Sequence, residues 1–198
     1  SGTTGRPKGV HRALAPIDPD TMAALGGGFL GLFEVKPEDG NVHLCGSPLY
    51  HTAVLVFAGS SLHLGHPVVL MDHWTPEDAL RLIERYRVTT SHMVPTQFHR
   101  LLALPEEVRR RYDASSTRAM VHAAAPCPVD VKRRMLAWWG DSIWEYYAAT
   151  EGGGTVVRPS EWRERPGTVG RAWPGSEIRV LDEQGLPGQA RDEKARQA

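Results

Sequence analysis

Cysteine is scarce in this chain. Only Cys45 and Cys127 occur among 198 residues, far apart and without a CxxC or mixed Cys/His spacing. That argues against a disulfide framework or a zinc site as the organising device and favours a reducing, cytoplasmic setting. Net charge is also missing: Lys plus Arg and Asp plus Glu each number 23. No long-range field therefore draws the chain to nucleic acid or an anionic membrane, and any phosphate binding must come from local groups. Between Gly40 and Met71 there is no Asp, Glu, Lys or Arg. Four histidines, Pro48, Pro67 and several glycines in that stretch would leave polar groups and broken backbone in lipid, so it reads as buried core rather than a transmembrane segment. The first residues, Ser1 to Gly5, are neither cationic nor apolar, so they do not read as a secretory leader.

The length suits one domain with room for a small second unit. Short apolar runs at Val42–Gly46, Val68–Met71, Val88–Met93, Arg118–His122 and Ile143–Tyr147 suit buried strands. Helical patterns lie between them. The clearest starts at Thr75, a capping hydroxyl, followed by Pro76 and the acids Glu77 and Asp78, and presents Ala79, Leu82, Ile83 and Tyr86 on one face. Pro95–Leu104 is a second. Pro128–Trp139 is a third, with Val129, Met135, Leu136 and Trp139 set against Lys132, Arg133 and Arg134. The alternation predicts an α/β fold, a parallel sheet flanked by helices over residues 1–160, with ligands at the carboxyl ends of strands. Glycine-rich texture and the alternation from Glu177 to Leu181 suggest an incomplete β unit over 161–187, the start of a small barrel. The stretch 188–198 is small and charged, with nothing to bury, and reads as a disordered tail.

Chemistry concentrates at the start. Ser1-Gly2-Thr3-Thr4-Gly5-Arg6-Pro7-Lys8-Gly9-Val10 offers glycines for close backbone approach, hydroxyls and one cation, the inventory for wrapping a polyphosphate. It is not a Walker A loop, because Pro7 precedes Lys8 and Gly9 follows it. This segment resembles the phosphate-binding signature of the adenylate-forming superfamily, within which the chain is most similar to AMP-forming acyl-CoA synthetases, the fatty-acid–CoA ligases. Further motifs follow in the family's order. Tyr147-Ala148-Ala149-Thr150-Glu151 is similar to Tyr-Gly-x-Thr-Glu; Ala148 replaces glycine there, which predicts a backbone without positive φ at that position. Ala123-Ala124-Ala125-Pro126 resembles the small-residue adenine turn, Pro48-Leu49-Tyr50-His51 the acid-site motif, and Gly167–Gly175 the structural lead into the barrel.

The resemblance implies roles. Thr3, Thr4 and Lys8 would meet the β and γ phosphates of ATP, with Ser1, Gly2 and Gly5 shaping the loop. Thr150 would bond the α-phosphate, Glu151 would hold Mg²⁺, and Ala123, Ala124, Ala125 and Tyr147 would flank adenine. His51 would orient the carboxylate, and the lack of an acid beside it favours a carboxylic acid without an α-amino group, a fatty acid first. Thr52–Leu64, Val94-Pro95-Thr96 and a flexible Gly152-Gly153-Gly154 would wall the acyl chain. Coenzyme A would accept the acyl group. The likeness reaches to about residue 185 and covers only the middle of such an enzyme, without the ribose-clamping Asp, the hinge or the adenylation lysine. The expectation is therefore a fragment, inactive alone, whose exposed sheet edges favour a homodimer. Two alternatives stand beside it: a fatty-acyl-AMP ligase delivering to a carrier protein, and a non-enzymatic remnant with weak nucleotide binding.

Overall fold

A computed structural model describes residues 9–11, 16–150, 152–179, 181, 182, 184 and 186. Strands β1 (His43–Cys45), β2 (Val68–Leu70), β3 (Thr90–Met93), β4 (Ala119–His122), β5 (Ile143–Ala149), β6 (Gly152–Val157) and β7 (Arg171–Ala172) form one sheet in the order β2-β1-β3-β4-β5-β6-β7. The pairs from β2 to β5 are parallel, and β5–β6 and β6–β7 are antiparallel. The helices are α1 (Pro19–Gly31), α2 (Thr52–His63), α3 (Pro76–Tyr86), α4 (Pro95–Leu102), α5 (Glu106–Arg109), α6 (Val129–Trp139) and α7 (Pro159–Glu164). The result is a mixed α/β sheet with helices on both faces.

Strand alternation explains the two faces. Leu44, Ser91, Met120 and Ile143 stand in one row across β1, β3, β4 and β5. That face packs on Leu80 and Ile83 of α3, Phe98 and Leu101 of α4 and Met135 and Leu136 of α6. The next row, His92, Val121 and Trp144, points the other way, where Leu30 of α1, Phe33 in the turn that follows it and Phe57 of α2 meet Ala119, Trp144 and Tyr146.

The Thr75 cap forms as expected, its Oγ1 accepting the Asp78 N–H at 3.1 Å. Its helix is rotated from the expected face: Ala79, Leu80 and Ile83 are buried while Tyr86 is exposed. Helix α1 falls in a stretch to which the sequence reading assigned no element. Asp18 caps it by accepting the Thr21 N–H at 2.9 Å. Gly26 is needed for packing, since a Cβ there would stand 2.5 Å from Ser60 Oγ on α2.

Three further expectations change. Gly152-Gly153-Gly154 is not a flexible segment but the start of β6, with Gly154 paired to Ala148. Ala148 does avoid positive φ. Glu177 to Arg179 form no strand, and among the described residues of this segment Leu181 makes a single bridge. Within 161–187, Trp162 of α7 joins the core beneath the sheet and β7 extends the sheet itself. Gly170, at φ 87°, lies so close to β6 that a Cβ would meet the Val156 carbonyl oxygen at 1.9 Å. The tail 188–198 lies outside the described residues.

The α1–α2 face carries buried histidines. His43 Nδ1 and Thr90 Oγ1 are 3.0 Å apart, and His92 Nε2 and Tyr146 Oη 3.2 Å apart. Burial chiefly lowers His43 to about 3 and His92 to about 4. Both stay neutral in the native protein, whereas the unfolded chain binds their protons below about pH 6.5. Their contribution to stability is therefore complete above pH 6.5 and is lost as pH falls from there toward the folded values, at about 1.4 kcal/mol per pH unit for each ring. Urea unfolding is expected to show stability falling between pH 7 and pH 5 by about 4 kcal/mol from these two groups. A His43→Asn, His92→Asn variant is expected to flatten that slope; an equal slope in both proteins would contradict it.

Candidate functional site

Because β1, β3, β4 and β5 run in one direction, the segments that follow them emerge at one edge of the sheet. The β4 turn begins at Ala123, buried, whose N–H bonds the Met93 carbonyl of β3 at 3.3 Å. Ala124, Ala125 and Pro126 then face solvent. Ala124 is left-handed, with φ 73°, a conformation that glycine adopts without cost and alanine does not. On the neighbouring strand His122 stands beside Glu145, so this turn and Tyr147 are adjacent. Tyr147 is 62% exposed, with its phenol ring outside the core that holds Tyr146. Thr150 closes the strand, half-buried.

The β1 exit supplies the third part. His51 N bonds the Pro48 carbonyl at 3.1 Å, closing the Pro48–His51 turn, and His51 is the N-cap of α2. The Tyr50 and His51 rings lie 4.5 Å apart, both exposed. Gln97 ties this exit to that of β3: its Oε1 accepts the Val94 N–H at 3.0 Å and its Nε2 donates to Gly46 O at 3.3 Å. The segment Thr52–Leu64, expected as acyl-chain wall, is α2 followed by its cap, with Val54, Phe57 and Ala58 turned inward and Leu55 and Leu62 outward.

The structure thus brings Ala123, Ala124, Ala125, Tyr147, Thr150 and His51 to one edge of the sheet. Ser1, Gly2, Thr3, Thr4, Gly5, Lys8 and Glu151 lie outside the described residues. Among the described residues no three His, Cys, Asp or Glu side chains gather to hold a metal. Thr150, just after β5, carries a hydroxyl oxygen, the ligand type that a hard cation such as Mg²⁺ takes.

Sequence reasoning missed the groups beneath this edge. Lys132, set on the polar face of its helix, is fully buried and ion-paired with Glu145 of β5. Its spacing from Met135, Leu136 and Trp139 was the available signal. His122 Nε2 lies 3.5 Å from the same carboxylate oxygen. Gln97 gave no signal beyond its place three residues into a helix.

An α/β domain with small-residue and aromatic turns at the carboxyl edge of parallel strands belongs to the class that binds ligands at strand ends. The AMP-binding enzyme family matches residues 1–194, and the chain belongs to that family. It is 28% identical over 189 residues to a long-chain-fatty-acid–CoA ligase of Bacillus subtilis, covering 92% of this chain and 32% of that protein. It is 29% identical over 193 residues to the fatty acid–[acyl-carrier-protein] ligase ScoC of Streptomyces coeruleorubidus, covering 93% of this chain and 36% of that one. Among solved structures, o-succinylbenzoate CoA synthetase of Bacillus subtilis, in complex with its acyl-adenylate intermediate, matches with TM-score 0.73 and 25% identity over 96% of this chain and 37% of its own. The chain therefore spans about a third of the length of these relatives. Among the described residues no helix is long and apolar enough to cross a membrane.

The left-handed Ala124 gives a direct test. Ala124→Gly is expected to raise the unfolding free energy by about 0.5–1 kcal/mol, the relief of a left-handed Cβ less the entropy cost of glycine. Ala124→Val is expected to lower it, because a β-branched residue is poorly tolerated there. Urea titration of the three proteins reads the order; a glycine variant less stable than the parent would contradict the assigned backbone.

Proposed function

We propose that this chain is the nucleotide-contacting part of an AMP-forming acyl-CoA synthetase. In this reading a carboxylate without an α-amino group, a fatty acid first, attacks the α-phosphate of ATP to give acyl-AMP and pyrophosphate. The thiol of coenzyme A then attacks the acyl carbonyl of acyl-AMP, forming the thioester and releasing AMP. Thr3, Thr4 and Lys8 hold the β and γ phosphates in a loop formed by Ser1, Gly2 and Gly5. Ala123, Ala124, Ala125 and Tyr147 flank the adenine, Thr150 bonds the α-phosphate, and His51 orients the carboxylate. Glu151 holds Mg²⁺, which neutralises phosphate charge when bound. Catalysis in such a site is mostly positioning and charge stabilisation, so the rigid strand exits matter more than any nucleophile.

The observation that carries the reading is the gathering of Ala124, Tyr147 and the Pro48–His51 turn at one sheet edge. The choice of a non-amino acid rests on the absence of any acidic residue between Gly40 and Met71. A second reading has a specific support: the likeness to ScoC, a fatty acid–[acyl-carrier-protein] ligase, favours a carrier-protein thiol as acceptor. Edge strand β2, with Leu70 62% exposed, offers the place for a homodimer. A cytoplasmic setting accords with the two unpaired cysteines.

Calorimetric titration of the chain with ATP and Mg²⁺, alongside Lys8→Ala, tests the nucleotide site. Loss of one charge-assisted phosphate contact costs about 1.5–3 kcal/mol, so the variant is expected to bind roughly tenfold or more weakly. Equal affinity would remove Lys8 from the site. No heat from either protein would leave the remnant reading in place of this one.

A further inference from the structure

Resting on the nucleotide reading above, we propose that Lys132 and Glu145 are a positioning pair that sets the separation of the Ala123–Pro126 and Tyr147–Thr150 turns. Three observations converge on it. First, the pair is buried where burial is costly: Lys132 is 0% exposed and Glu145 8%. Trp162 lies under the ammonium, Nζ 5.0 Å from its ring centroid, and Phe98 packs edge-on against His122 at 5.2 Å. An ion pair in such surroundings gives little net stability over apolar side chains of similar size, so its presence calls for a purpose other than stability.

Second, its members bracket both turns. His122 is the last residue of β4 before Ala123, and Lys132 lies in the first turn of α6, after Pro126 and Cys127. Glu145 precedes Tyr147 on the same strand and is His122's register partner. One ammonium bound to one carboxylate therefore fastens the end of the β4–α6 connection to the strand that leads to Thr150. Third, the charge of Glu145 reaches the connection: the Cys127 thiol is pushed up to about 11, by burial first and by Glu145 next. His122, with neither ring nitrogen hydrogen-bonded to a protein partner among the described residues, is held neutral by burial.

The test separates positioning from simple support of the fold. Lys132→Met alone strands a buried carboxylate and is expected to unfold readily. Lys132→Met with Glu145→Leu removes both charges and is expected to melt close to the parent. In that double variant, amide exchange at 123–125 and 147–150 without nucleotide is expected to quicken about tenfold while β1 and β3 keep their protection. ATP affinity is expected to fall by roughly tenfold. If that double variant does not fold, Lys132→Gln with Glu145→Gln, which removes both charges and keeps two side chains able to hydrogen-bond each other, is expected to show the same selective change in smaller measure. Parent-like exchange and affinity in either folded double variant overturns the proposal. If the parent itself binds no ATP, the nucleotide reading fails while the exchange comparison still decides whether the pair holds the turns.

Discussion

Parallel hydrogen bonding from β2 through β1, β3 and β4 to β5 imposes a single direction on five strands, and the rest of the molecule follows from it. A parallel pair cannot be closed by a tight turn, so each connection must cross a face of the sheet, and helices α2, α3, α4 and α6 do so. Each of these five strands then ends at the same edge. The residues that leave the sheet there, Ala123 after β4, Val94 after β3 and Gly46 after β1, are neighbours because their strands are neighbours. At β5 the direction reverses into β6, and the Thr150 turn sits at that reversal.

The two faces of the sheet solve the burial problem differently. Beneath α1 and α2, polar side chains are buried uncharged: His43 and His92 are neutral rings, each bonded once, surrounded by Phe33, Phe57 and Tyr146. Beneath α6 a full charge is buried and matched by another, Lys132 against Glu145. The first arrangement makes stability sensitive to acid. The second has no comparable return in stability, and it lies directly under the turns that carry the proposed nucleotide contacts. Trp173, from the glycine-rich Gly167–Gly175 segment, packs 5.9 Å from Phe29 and 6.3 Å from Tyr146, which agrees with reading that segment as structure rather than chemistry.

Much of this was legible in the sequence, for particular reasons. The five parallel strands were visible because each is a short apolar run, and α3 because Thr75, Pro76 and two acids mark its start. Helix α1 carries three consecutive glycines and a weakly patterned sequence, and Gly26 is there for close packing against Ser60. Reading Gly152-Gly153-Gly154 as flexible concealed β6. Lys132 was misplaced because charge was weighed above spacing, although its position relative to Met135, Leu136 and Trp139 points inward. The strain at Ala124 could not be read from residue type, since alanine gives no sign of a left-handed backbone. The turn was found instead by its likeness to a small-residue motif. Those parts of the candidate site that lie on strand exits were legible because strand order fixes them.

The central claim is that the carboxyl edge of the parallel strands is where nucleotide binds. Mapping backbone amide shifts by NMR as AMP is added tests it most directly. The account predicts the largest changes at Ala124, Ala125, Tyr147 and Thr150. Changes concentrated instead at Ala114–Thr117, which lead into β4 from the opposite edge, or no changes at all, would contradict it.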